Sequence, residues 1–138
     1  MSETIHVMDA SAILAYLKEE KGQEIVEVAL GGRAEITTVN YCEVLGKMRQ
    51  AGMPGDQADL IIAELGVRVV DFDIVLARYA AELGGRTSEI GASLGDRACL
   101  ALAHYYFHGK ETPVVFTADQ SWSKIKWPFK ITITRPGK

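Results

Sequence analysis

Short runs of aliphatic and β-branched residues alternate along the chain with longer stretches whose apolar positions recur at helical spacing. Ile5-His-Val-Met8 reads as a strand ending at Asp9, followed by a helix over Ala12-Ile-Leu-Ala-Tyr-Leu17 with Ser11 as its cap. A second helix runs from about Gln23 to Leu30 and stops at Gly31-Gly32, and Ala34-Glu-Ile-Thr-Thr-Val39 is the second strand. Asn40 is then expected to cap a helix that carries Glu43 in its first turn and ends near Gly52-Met-Pro54. Another helix follows from Gly55 to Leu65. Val67-Arg-Val-Val70 is the third strand. Asp71 and Asp73 precede a helix through Ile74, Leu76, Ala80 and Leu83 that is expected to end at Gly84-Gly85. Arg86 to Ala92 reads as a loop or ragged helix leading into a strongly apolar helix that holds Asp96 near its start and reaches His108-Gly109. Pro113-Val-Val-Phe-Thr117 is the fourth strand, with Asp119 just past its end and one short turn over Ser121 to Ile125. The alternating Lys130-Ile-Thr-Ile-Thr134 suits an edge strand.

Strands separated by helices of this length need crossover connections, so the expected fold is a three-layer α/β/α arrangement. A central, mainly parallel twisted sheet has helices on both faces, in one domain over residues 1–138. Composition agrees with a globular protein: 48% hydrophobic, 24% charged. A net charge of −3 offers no whole-molecule attraction to nucleic acid, so any such contact needs a local basic patch or a bound metal. Cys42 and Cys99 form no CxxC pair, which argues against a disulfide framework and a zinc site. The start of the chain lacks the basic and apolar regions of a signal peptide, and no apolar run could span a membrane. A cytoplasmic protein is expected.

Asp96 is the residue around which the chemistry gathers. On its helix it shares a face with Cys99, Leu100, Ala103 and Phe107, where an acid is costly unless paired, hydrogen-bonded or bound to a metal. Ser93-x-x-Asp96 also has the form of a capping box, so the residue alone decides nothing. Three further acids break the tie. Asp9 follows the first strand, Glu43 opens the helix after the second, and Asp119 follows the fourth; in a doubly wound sheet all of these reach the carboxyl edge, where such folds bind ligands. Ser11 and Thr117 stand two residues from Asp9 and Asp119 and can point to the same side. Each acid also has a structural explanation. Glu43 can complete a box with Asn40 or pair with Lys47, and Asp119 can cap the turn that follows it. Asp71 and Asp73 read as helix-cap residues, and His6, His104 and His108 as structural or solvated side chains.

Carboxylates gathered at one edge repel one another, and a hard divalent cation relieves that repulsion. Mg²⁺ takes oxygen ligands and leaves positions open for a phosphate, so the chemistry that fits is hydrolysis of a phosphodiester. No histidine or cysteine falls in the set, and no Gly-rich phosphate loop is present. Arg86, Arg97 and Lys124 are candidate contacts for a substrate phosphate, with Lys47, Arg49 and Lys126 as further cations.

Four pieces of the chain, Val7-Met-Asp-Ala-Ser-Ala12, Asn40-Tyr-Cys-Glu43, Leu94-Gly-Asp-Arg-Ala98 and Phe116-Thr-Ala-Asp119, occur in the order and spacing of a known family. The chain resembles the PIN-domain ribonucleases, specifically the VapC-type toxins of toxin–antitoxin pairs, over essentially its whole length. Leu-Gly-Asp-Arg-Ala is the most specific of the four pieces. The resemblance implies a Mg²⁺ or Mn²⁺ site built from Asp9, Glu43, Asp96 and Asp119, with Ser11 and Thr117 as supporting hydroxyls. It further implies endonucleolytic cleavage of structured RNA (tRNA or rRNA), a homodimer, and neutralisation by a small VapB-type antitoxin.

Two alternatives share parts of the pattern. A receiver-type phosphoryl-accepting domain would use Asp71 or Asp73 with Thr117 and a lysine near the last strand, but receivers carry adjacent acids after strand one, and Asp9 stands alone. A PIN-like RNA-processing nuclease that is not a toxin would share every site residue.

Overall fold

The computed structural model describes residues 3–135, and among them five strands form one sheet in the order β3-β2-β1-β4-β5. These are β1 (Thr4–Met8), β2 (Arg33–Thr37), β3 (Arg68–Val70), β4 (Thr112–Thr117) and β5 (Lys130–Ile133). Every pairing is parallel: β1 with both β2 and β4, β2 with β3, and β4 with β5. The sheet is therefore wholly rather than mainly parallel, and Lys130–Ile133 is indeed an edge strand. The helices are α1 (Ala10–Leu17), α2 (Gln23–Leu30), α3 (Thr38–Gln50), α4 (Gly55–Glu64), α5 (Ile74–Arg86) and α6 (Leu94–His108).

The chain lays strands outward from β1 to β3, then crosses back to place β4 on the other side of β1. That reversal puts the topological switch point between the carboxyl ends of β1 and β4, where the crossover connections diverge and leave a crevice. A receiver-type sheet places its third strand against the first and its second at the edge. Here β2 and β4 flank β1, and the receiver alternative is overturned.

Strand β1 is covered on both faces because its side chains alternate into two cores. Met8 joins Ile13, Val26, Ile36, Val44 and Ile62 beneath α1 to α4. Ile5 and Val7 join Leu76, Leu83, Leu100, Val115 and Trp122 beneath α5 and α6. Three layers result, as expected. Among the described residues no helix is long and apolar enough to cross a membrane.

Element boundaries differ from the expectation where a polar side chain captures a helix start. Thr38 and Val39 look like strand residues, yet Thr37 is already the N-cap of α3, its hydroxyl accepting from the Asn40 N–H at 3.2 Å. Asn40 thus lies inside the helix rather than capping it. Asp9, not Ser11, caps α1: its backbone is extended (φ −90°, ψ 175°) and its side chain accepts from the Ala12 N–H. At the other end of a helix, Gly84 and Gly85 do not terminate α5, because neither adopts a positive φ. The helix ends at Thr87, whose N–H and hydroxyl both bond the Leu83 carbonyl, the hydroxyl at 2.7 Å.

Candidate metal centre

Asp9 is held where β1 runs into α1 without a loop, and the residue is only 5% exposed. One carboxylate oxygen accepts from the Ala12 N–H at 2.8 Å and the Ser11 hydroxyl at 2.7 Å, and the other accepts from the Thr117 hydroxyl at 2.5 Å. Ser11 Oγ in turn accepts from the Ala118 N–H, and Thr117 Oγ1 from the Asp119 N–H. These hydroxyls tie the end of β1 to the end of β4 across the switch point. Burial pushes the Asp9 carboxyl up from 3.8 to about 6. The three hydrogen bonds pull against it and the nearby charge of Asp96 adds to it.

Glu43 sits on α3, and neither structural explanation for it is realised. The helix is capped by Thr37, and among the described residues Glu43 forms no ion pair with Lys47 or any other cation. Its Oε1 accepts from the buried Asn40 amide at 3.0 Å. Asp96 does form the expected capping box: Ser93 Oγ accepts from the Asp96 N–H at 3.2 Å, and Asp96 Oδ2 accepts from the Ser93 N–H at 3.0 Å. Asp119 caps the 3₁₀ turn over Gln120–Lys124, its Oδ1 accepting from the N–H and hydroxyl of Ser121. Capping uses one oxygen in Asp96 and in Asp119, and among the described residues the second oxygen of each accepts no hydrogen bond. A cap and a ligand are compatible roles.

Asp9, Ser11, Asn40, Glu43, Lys47, Asp96 and Asp119 line a single cleft of about 260 Å³ at this edge of the sheet. Beneath it the buried Cys99 thiol is pushed well above its ordinary range, first by burial and then by the charges of Asp9, Asp96 and Glu43. None of the four acids is ion-paired among the described residues, and the one cation lining the cleft is Lys47. The donor set is all oxygen, which suits a hard cation and not zinc. As the side chains stand, the acids ring an open cleft: no three acidic, histidine or cysteine side chains among the described residues are gathered tightly enough to enclose an ion. Glu43 and Asp119 lie on exposed positions, whereas Asp9 is buried. The residues fit a divalent cation in charge and chemistry.

The remaining candidates lie elsewhere. Arg86 donates to the Lys126 carbonyl and packs over the Trp127 ring at 5.3 Å, and Arg97 donates to the Ala80 carbonyl at 3.3 Å. Lys124 is exposed in the turn after Asp119 but does not line the cleft. Asp73 caps α5 by accepting from the Leu76 N–H at 3.0 Å, as expected, and Asp71 and Asp73 line a different depression with Arg68 and Tyr105. His6 donates to the Arg33 carbonyl from Nδ1. His104 is neither satisfied nor solvated: its Nε2 is buried without a partner among the described residues, and burial lowers the imidazole to about 4. What sequence reasoning missed is Asn40, read there as a cap. Its spacing of three from Glu43 was the available signal.

A family model described as PIN domain matches residues 7–128. No curated protein matches the chain in sequence. Several solved structures share the fold at low identity. A VapBC2 complex from Rickettsia felis bound to a promoter DNA fragment has 16% identity and a TM-score of 0.62, covering 93% of this chain and 97% of that one. A DNA-bound VapBC from Salmonella typhimurium has 14% identity and a TM-score of 0.61, covering 96% and 98%. A toxin–antitoxin complex from Klebsiella pneumoniae has 12% identity and a TM-score of 0.63, covering 93% and 99%.

Proposed function

Because the chain belongs to the PIN domain family, we propose that it is a divalent-metal-dependent endoribonuclease, the toxin of a VapBC-type pair, acting in the cytoplasm on structured RNA. The observation that carries this reading is the cleft at the switch point, where Asp9, Glu43, Asp96 and Asp119 converge with no ion-paired partner among the described residues. Those four acids would hold Mg²⁺ or Mn²⁺. A metal bound there supplies Lewis acidity at the phosphate and lowers the pKa of water for attack.

The chain's own residues prepare that chemistry. Ser11 and Thr117 hydroxyls and the Ala12 N–H counter the burial of Asp9 and favour its ionised form, the form able to bind a cation. The Ser93 N–H and the Ser121 hydroxyl each hold one oxygen, of Asp96 and Asp119 respectively, limiting the motion of those carboxylates. Lys47, at the cleft wall, is placed to meet a substrate phosphate, since its ammonium is a compact charge on a flexible stem. Arg86, Arg97 and Lys124 would contact RNA only farther from the reacting bond. The similar VapBC structures support a small antitoxin as partner, and we extend the proposal to a homodimer. A housekeeping RNA-processing role would use the same cleft without an antitoxin.

The test is cleavage of total RNA by the purified protein with Mg²⁺, with chelator, and by Asp96→Asn. Chelator and the substitution should each abolish cleavage while circular dichroism stays unchanged; full activity in Asp96→Asn would sink the site. Neutralisation by the product of a small neighbouring reading frame separates a toxin from a housekeeping nuclease.

A further inference from the structure

Resting on the reading of Glu43 as a working carboxylate, we propose that Gly95 and Asn40 are positioning residues that hold it over the cleft. The glycine leaves the space that the carboxylate fills, and the amide grips one of its oxygens.

Gly95 is buried in the first turn of α6, directly before Asp96. Its φ is not positive, so the backbone does not require glycine. Glycine in a helix is less favourable than alanine by up to about 1 kcal/mol. The reason for it lies across the α3–α6 contact. A Cβ at Gly95 would stand within 2.6 Å of all three heavy atoms of the Glu43 carboxyl group, and these are its three nearest neighbours. At Gly46 on α3 and Gly85 on α5, by contrast, an added Cβ meets nothing within 4 Å. The obstructing group at Gly95 is the far end of a flexible side chain. An added methyl therefore moves the carboxylate and leaves the backbone where it is.

Asn40 supplies the grip. It is 1% exposed, and its amide donates to Glu43 Oε1 at 3.0 Å and to the Gly95 carbonyl at 2.9 Å. Its own oxygen accepts from the Thr37 hydroxyl at 2.6 Å, which sets which way the amide faces. One side chain thus bonds the acid and the residue whose missing Cβ makes room for it. Glu43 Oε2 accepts no hydrogen bond among the described residues and is left for the cleft. Neither residue touches the reacting atoms; both act through Glu43.

The experiment measures Mn²⁺ binding by calorimetry, thermal stability and RNA cleavage for Gly95→Ala, Asn40→Ala, Glu43→Asp, Glu43→Gln and the double variant Gly95→Ala/Glu43→Asp. Gly95→Ala should be at least as stable as the parent yet bind Mn²⁺ and cleave about 10- to 100-fold more weakly, the usual cost of disturbing a residue behind a metal ligand. A residue needed only for packing would lose stability instead. Asn40→Ala should weaken Mn²⁺ binding over the same range. Glu43→Asp withdraws the carboxylate by one methylene from the added methyl, so in that background Gly95→Ala should cause a smaller loss. Parental Mn²⁺ affinity in Gly95→Ala, or an equal penalty in the Glu43→Asp background, overturns the proposal. If Gly95→Ala does not fold, parental Mn²⁺ affinity in Asn40→Ala overturns it, and weakened affinity supports it. Glu43→Gln separates the two levels. Parental affinity and cleavage there remove the reading of Glu43 itself, whereas an inactive Glu43→Gln beside a parental Gly95→Ala removes only the positioning.

Discussion

Replacing Asp9 by asparagine should make the protein more stable while destroying its activity. Asp9 is buried, and burial raises its carboxyl from 3.8 to about 6 even against three hydrogen bonds. The folded state therefore binds more protons than the unfolded state between those values, and the parent loses stability as pH rises through the window. The rise corresponds to roughly 3 kcal/mol at about 1.36 kcal/mol per pH unit. Asparagine mimics the protonated acid: its oxygen can accept from Ser11 and Ala12, and its amide can donate to Thr117 Oγ1 where the carboxylate now accepts. In chelator, the stability difference should thus be near zero at about pH 4 and approach 2–3 kcal/mol in favour of Asp9→Asn at about pH 8. Urea unfolding of both proteins across that range measures it. Adding Mn²⁺ should narrow the gap, because only the parent gains from binding. A difference independent of pH, or a less stable Asp9→Asn at neutral pH, would refute the electrostatic argument for the cleft.

Other outcomes follow from the same geometry. Asp73→Ala removes the cap of α5 and should lower stability by ~0.5–2 kcal/mol with RNA cleavage retained, read by urea unfolding beside a cleavage assay. Lys47→Ala should raise KM for RNA more than it lowers kcat and flatten the salt dependence of binding, because the lysine offers charge at the cleft wall without holding an acid. An unchanged salt slope would remove it from the binding surface. His104, lowered from 6.5 to about 4 first by burial and then by the charges of Arg86 and His108, stays neutral in the fold where the unfolded chain would take a proton. That costs the parent stability as pH falls from 6.5 toward 4. His104→Phe should remove this part of the acid slope, with a stability gain that grows as pH falls from 6.5 and is complete by about pH 4, as followed by thermal unfolding.

Helix and strand periodicity was enough to place every strand and most helices, because hydrophobic spacing is a local property of the chain. The four acids were also legible, since a strand end or helix start in a parallel sheet faces the ligand-binding edge. Boundaries failed where the deciding bond was one side chain against one N–H, as at Thr37 and Asp9, or where glycines in a helix were free to stay helical, as at Gly84 and Gly85. The order of the strands was beyond local pattern: a receiver and the present fold both alternate strand and helix, the lone Asp9 spoke against a receiver, and β1 lying between β2 and β4 decides it.

Asp96 shows the division most clearly. Its sequence context established a capping box, and the structure contains that box. Whether the same carboxylate also faces a cleft depends on residues far away in the chain, Asp9, Glu43 and Asp119, brought together by a crossover the local pattern does not encode. Gly95 belongs to the Leu-Gly-Asp-Arg-Ala piece, but its physical reason is not legible there. Its meaning comes from Glu43 on another helix occupying the volume its side chain lacks. Periodicity and residue chemistry act through near neighbours and are written in the sequence; proximity across elements is written only in the packing.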